Sequence, residues 1–189
     1  MTKSMVWSGL DLDGEGKQAD YLRIPHSVDT SAYGWVPVPL IRIRNGDGPT
    51  ALLCAGNHGD EYEGQIALLD LAREIEAKDV QGCILILPGL NYPAVAAGRR
   101  VSPLDEGNLN RSFPGQAQGT PTQMLADYIT DTLFPRADFV IDLHSGGRSL
   151  EYAHCGLGHY GRGAETDAKI RELLEVFAAP WSILTQGAG

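Results

Sequence analysis

His58 and Glu61 stand three residues apart in GNHGDEYEG, residues 56–64, and His144 closes the apolar run VIDLH. At that spacing, close to where a helix begins, an imidazole and a carboxylate can aim at one point. Two histidines and one glutamate, with a fourth position left to water, are the donor set of a catalytic zinc site. Zinc lowers the pKa of a bound water from about 15.7 to about 7, which yields hydroxide at neutral pH; no side chain here does this alone. The expectation is one Zn2+ per chain, held by His58, Glu61 and His144. Asp60 and Glu63 are the competing carboxylates. Asp60, two residues from His58, points elsewhere on a helical turn, whereas Glu63 differs by one further step of rotation. Asp142 is placed to hold the His144 imidazole from behind; a solvated acid at a strand end is the other reading.

Downstream lies AAGRRVSPLDEGNLNRSFPG, with Arg99, Arg100 and Arg111 in an otherwise acidic chain. An arginine fork matches a carboxylate through two parallel charge-assisted hydrogen bonds. A second arginine beside a metal can stabilise an oxyanion. Each arginine alone reads as a surface charge; their grouping around Asn110 beside the expected metal gives them a binding role. His26, His154 and His159 lie in stretches that read as polar loops, where surface or local hydrogen bonding is expected.

These residues need a scaffold that carries them to one place. VPVPLIRIR alternates at its end like a half-buried strand, NGDGPT is a turn signal between two strands, and ALLCAG is a short continuous apolar run suited to a central strand. GQIALLDLAREIEAKD reads as a helix with Ile66 and Leu69 facing inward, CILILPG as a second buried strand and DFVIDLH as a third. Residues 89–119 form a long segment rich in Gly, Asn, Pro and Arg, and a loop that long inside a compact domain is usually functional. It closes at a helix with Thr120 as N-cap, Pro121 at the first position and Gln123 completing a capping box. Ile170, Leu173, Leu174 and Phe177 mark an amphipathic helix, and SILT begins one more strand. Strands alternating with helices predict an α/β sheet with helices on its faces. In such sheets ligands bind beyond the carboxyl ends of the strands, which is where His58, the long loop and His144 all fall.

The bulk properties are those of an ordinary globular chain: 189 residues, 43% hydrophobic and 21% charged. A chain of this size buries roughly 70% of its unfolded surface and needs no disulfide staples. Cys54 and Cys83 sit in apolar runs and Cys155 in a glycine-rich loop, so reduced thiols and a cytoplasmic location are expected; Cys54 reads as a small core residue rather than a ligand. The net charge of −9 argues against nucleic acid or an anionic membrane as partner. No apolar run approaches the roughly 18 residues of a membrane span, and the polar N-terminus lacks a secretory core. A homo-oligomer stays open.

GNHGDEYEG, NLNRSFPG and VIDLHSGG occur in this order in the succinylglutamate desuccinylase/aspartoacylase family, which is related to the zinc carboxypeptidases; from about residue 36 onward the chain resembles that family. LRIPHSVDTSAYGWVPVPL looks like the branch that contains the N-acetyl-diaminobutyrate deacetylases of ectoine breakdown. The resemblance implies a mixed, mostly parallel sheet with helices on both faces over residues 36–189, preceded by an irregular or strand extension over residues 1–35. It implies zinc on His58, Glu61 and His144, with Asn110 and Arg111 gripping the substrate's α-carboxylate. Arg100, counted forward from Asn91-Tyr92-Pro93, matches the arginine that polarises the scissile carbonyl; extra residues between Arg100 and Asn110 keep Arg99 open for that role. The family's reaction is hydrolysis of the amide between an acyl group and an amino acid, so the expected partner is a small N-acyl amino acid. Family members are much longer, and their general-base glutamate lies on a strand with no counterpart here; Glu106 and Glu151 do not match its motif. The resemblance therefore implies an incomplete catalytic domain belonging to a longer protein. A peptide-cutting metallocarboxypeptidase and a non-catalytic module for a metal or carboxylate are the rival readings.

Overall fold

The structure is a computed structural model and describes residues 3–186. It divides into two compact units, residues 1–150 and residues 151–189. The first is built on a five-stranded sheet in the order β1-β2-β4-β3-β5. β1 (Gly16–Pro25) pairs antiparallel with β2 (Trp35–Asn45), and β2 antiparallel with β4 (Gly82–Leu87). β3 (Thr50–Ala55) lies between β4 and β5 (Phe139–Leu143), parallel to both. The sheet is thus mixed, with a parallel half that puts the carboxyl ends of β3, β4 and β5 at one edge.

Side chains alternate across the strands and feed two cores. Leu22, Val38, Leu40, Leu52, Leu85 and Leu87 meet Leu125, Ile129 and Leu133 on one face. Ile43, Ala55 and Ile86 meet Leu68 and Ala72 on the other. Each such buried side chain contributes on the order of 1.5–3 kcal/mol, so both faces require a helix. α3 (Pro121–Tyr128) covers the first; its capping box joins Thr120 and Gln123 as expected, and the chain continues through a π-helical turn, Ile129–Leu133. α1 (Tyr62–Glu74) covers the second.

Several local expectations need correction. Ile66 and Leu69 do not face inward: they are 58% and 40% exposed, and the buried stripe of α1 is Gln65, Leu68 and Ala72. The seat of Gly64 sets this rotation, because a Cβ there would lie 2.7 Å from the Leu143 Cβ on β5. The NGDG turn joins β2 to β3 without making them a hairpin, since β4 inserts between them. The 89–119 segment is not structureless: α2 (Tyr92–Ala97), with Pro at its start and a left-handed Gly98 at its end, occupies part of it, and Leu109–Arg111 form a 3-10 turn.

In the second unit, β6 (Cys155–Tyr160) and β7 (Trp181–Gln186) pair in parallel, and α4 (Ala164–Phe177) connects them. Cys155 and His159 therefore lie on a strand rather than in loops. The glycines that suggested a loop make room for the helix, since a Cβ at Gly156 or Gly158 would fall 2.6 Å from Leu174 or Ile170. All three cysteines are free, with Cys54 and Cys83 buried. Among the described residues no helix is long and apolar enough to cross a membrane.

Candidate metal centre

The parallel half of the sheet carries the site. β3 ends at Ala55 and β5 at Leu143, and these two residues are paired in register. The chain beyond each strand delivers one imidazole. The loop after β3 is bound to the loop after β4: Leu90 N donates to Ala55 O at 2.8 Å and Asn91 N to Gly56 O at 2.9 Å. Gly59 N donates to Arg99 O at 2.9 Å. A Cβ on Gly59 would lie 2.0 Å from the Ala94 carbonyl carbon. Only glycine lets the His58 loop approach α2 this closely, and the same contact brings the paired arginines to the site.

His58, Glu61 and His144 converge, with one ligand atom from each lying within 4.8 Å of the others. Glu61, 5% exposed, is the hub. Its Oε1 lies 2.7 Å from His58 Nδ1 and 3.4 Å from Arg100 Nη1; its Oε2 lies 2.8 Å from His144 Nδ1 and accepts from Ser145 N at 3.1 Å. A buried carboxylate needs this many donors, because an unpaired buried charge is strongly disfavoured. Behind the rings, His58 Nε2 faces Asn108 Oδ1 at 3.3 Å and His144 Nε2 faces Asp142 Oδ2 at 2.9 Å. Both acceptors favour a proton on Nε2; with a metal bound, each Nδ1 would then present its lone pair to the shared centre. The donor set and the outer partners fit a divalent metal.

The hydrogen bond from His144 to Asp142 outweighs the opposing effect of burial and, with Glu61 adding to it, raises the imidazole pKa to about 9. Glu63 is not part of the cluster: the Ser145 hydroxyl donates to its Oε2 at 2.6 Å and holds its carboxyl below the ordinary value. Asp60 also lies outside the cluster; its Oδ1 is buried without a partner. Of the paired arginines, Arg100 reaches Glu61 while Arg99 bonds Glu106 at 2.8 Å. Asn110 and Arg111 are exposed on the 3-10 turn that follows Asn108, and Arg111 Nη1 donates to Asn110 O at 3.2 Å. Asn57 and Asn108 carry no signal in the sequence alone. Each is one polar residue in a loop, and only the paired strand ends turn them toward Asp142 and His58.

A family model for the succinylglutamate desuccinylase/aspartoacylase catalytic domain matches residues 47–189. The chain belongs to this family. A curated family relative, the N-alpha-acetyl-L-2,4-diaminobutyric acid deacetylase of Halomonas elongata, is 46% identical over 181 residues, or 96% of this chain and 53% of that protein. The product-bound ectoine utilization protein EutE (DoeB) of Ruegeria pomeroyi superposes with a TM-score of 0.95 at 45% identity, covering 100% of this chain and 58% of that one. A succinylglutamate desuccinylase from Silicibacter sp. gives 0.96 at 42% identity, with 100% and 57% coverage. The chain thus spans about half the length of these family members.

Proposed function

We propose that the protein carrying this chain is a zinc-dependent amidohydrolase that removes the acyl group from a small N-acyl amino acid. N-alpha-acetyl-L-2,4-diaminobutyrate is the first substrate to try. The observation that carries this reading is the convergence of His58, Glu61 and His144 within 4.8 Å, with Arg100 on the same carboxylate. The name of the 46% identical deacetylase supports the choice of substrate.

His58 Nδ1, the Glu61 carboxylate and His144 Nδ1 would hold the ion. When bound, zinc supplies Lewis acidity toward a carbonyl oxygen and acidifies a water at neutral pH. Asn108 and Asp142 keep the Nε2 protons of the two rings away from the centre. Arg100 offers its guanidinium beside the centre, where negative charge develops on the acyl oxygen as the amide is attacked. Asn110 and Arg111 hold the α-carboxylate and so orient the amide. As the family resemblance implies, a glutamate beyond the residues of this chain would accept the water's proton. Arg99, bonded to Glu106, shapes the loop and leaves the carbonyl to Arg100.

The test is a hydrolysis panel on the whole protein with zinc bound. N-acetyl-diaminobutyrate, N-acetyl-aspartate, N-succinyl-glutamate and C-terminal dipeptides are compared by amine release. Turnover of an N-acyl amino acid above the peptides is expected. Peptide turnover alone would make the protein a carboxypeptidase, and stoichiometric metal with no turnover of any substrate would leave a binding module.

A further inference from the structure

Asn57 is 2% exposed, and its two amide atoms have unequal fates. Nδ2 donates to Asp142 Oδ2 at 3.0 Å, the same oxygen that faces His144 Nε2 at 2.9 Å. Oδ1 is buried with no hydrogen-bond partner. A buried carbonyl without a partner has lost its water and gained nothing in return, which disfavours the fold. Isosteric leucine would avoid that cost, so fold stability alone does not account for an amide here. The position suggests what does. Asn57 follows β3 and is the neighbour of His58; Asp142 lies on β5, paired in register with Cys54. The amide therefore links the two parallel strand ends on which the two imidazoles are mounted. Asp142 lies on β5, the last strand in the order of the described sheet, and its carboxylate can rotate; a second donor on the same oxygen fixes the rotamer that meets Nε2.

We infer that Asn57 is a positioning residue for the metal centre: acting through Asp142, it holds His144 in the orientation that presents Nδ1 to the ion. This inference rests on the metal reading of His58, Glu61 and His144. The contrast with His58 supports it. That ring is almost fully enclosed and is faced by a single neutral amide, Asn108. The side chain of His144 keeps 32% of its surface open, so its orientation depends on the hydrogen bonds behind it.

The experiment measures zinc affinity by chelator competition on the whole protein, with melting of the zinc-stripped form and the 15N shifts of the His144 ring in the zinc form as further readouts. Asn57→Leu is expected to weaken zinc binding about tenfold, as loss of an outer-shell partner does. The stripped variant should melt at about the wild-type temperature, because the orphan carbonyl leaves with the donor. In an Asp142→Ala background the same substitution should change affinity by less than about twofold, since the coupling partner is gone. Asn57→Asp keeps the shape but sets carboxylate against carboxylate; it should weaken zinc binding at least as much and gives the answer if the leucine variant does not fold. Zinc affinity within about twofold of wild type in the folded variants would overturn the inference, as would an undiminished loss in the Asp142→Ala background. Wild-type protein that takes up no zinc would overturn the metal reading itself, an outcome separate from any difference between the variants.

Discussion

The two imidazoles of the candidate centre are mounted in opposite ways. His58 follows the central strand β3, is 2% exposed, and is faced from behind by the neutral oxygen of Asn108 at 3.3 Å. His144 follows the edge strand β5, keeps 32% of its side chain open, and is faced by the Asp142 carboxylate at 2.9 Å. Burial orients the first ring, because packing leaves it one seat, and a charge behind it would have to be compensated in a dry environment. Among the described residues the second is packed less tightly, and a charge-assisted hydrogen bond holds it. The two rings of one centre are thus held by two different devices.

Removing what the two rings share should have the largest effect. Glu61→Ala deletes the oxygens that both Nδ1 atoms meet, and we expect zinc to be absent after gel filtration by metal analysis; retention of a full equivalent would break the comparison at its centre. Next is the approach that seats the His58 loop against α2 and brings Arg100 with it. Gly59→Ala places a methyl 2.0 Å from the Ala94 carbonyl carbon, and backbone cannot yield as a side chain does, so denaturant melts should show a loss of about 3 kcal/mol.

Removing the partners behind the rings sharpens the contrast. Such losses typically cost about 10–100-fold in metal affinity. Asp142→Asn should fall near the upper end and Asn108→Leu near the lower, read by chelator competition; equal losses would mean that burial does not hold His58. A pH test addresses the loop that carries Asn108. Asp105 accepts from Thr122 N and Oγ1, both at 2.8 Å, and from Gly107 N at 3.1 Å. Burial pushes its carboxyl up, but the bonds from Thr122, with the Thr120 and Ser102 hydroxyls adding to them, outweigh burial and hold it below the ordinary 3.8. A depressed folded value gives stability that is present above 3.8 and lost as pH falls through the folded value. Asp105→Asn should remove that part of the acid dependence of the melting temperature. The smallest effect is expected of Glu63→Gln. It removes only the charge from an exposed acceptor of the Ser145 hydroxyl, and exposed charges contribute little, so zinc affinity should shift by less than about twofold.

How much of this was legible in the sequence depended on the range of the forces involved. The strands β3, β4 and β5 were readable from apolar runs, and the start of α3 from Thr120, Pro121 and Gln123, because these signals are local. The rotation of α1 was not. Ile66 and Leu69 are as apolar as Leu68, and only the seat of Gly64 against Leu143 turned them outward. The sequence around Cys155–Tyr160 reads as loop because its glycines answer to a helix that comes later in the chain. His58, Glu61 and His144 were legible as a set because the motif at 56–64 and the DLH strand end are each compact in sequence. Asn57 and Asn108 were not, since their partners lie 85 and 50 positions away.

By itself, the sequence determined the kinds of chemistry available: a spaced imidazole and carboxylate, a second imidazole ending an apolar strand, and arginines in an acidic chain. It also determined the strand ends at which these groups would emerge, because alternation and apolar runs are local consequences of burial. The tertiary structure alone decided which carboxylate both rings meet, which of the two arginines reaches it, and which amides stand behind them. Those choices depend on the register between β3 and β5 and on a glycine contact between loops distant in sequence, and no local preference encodes either one.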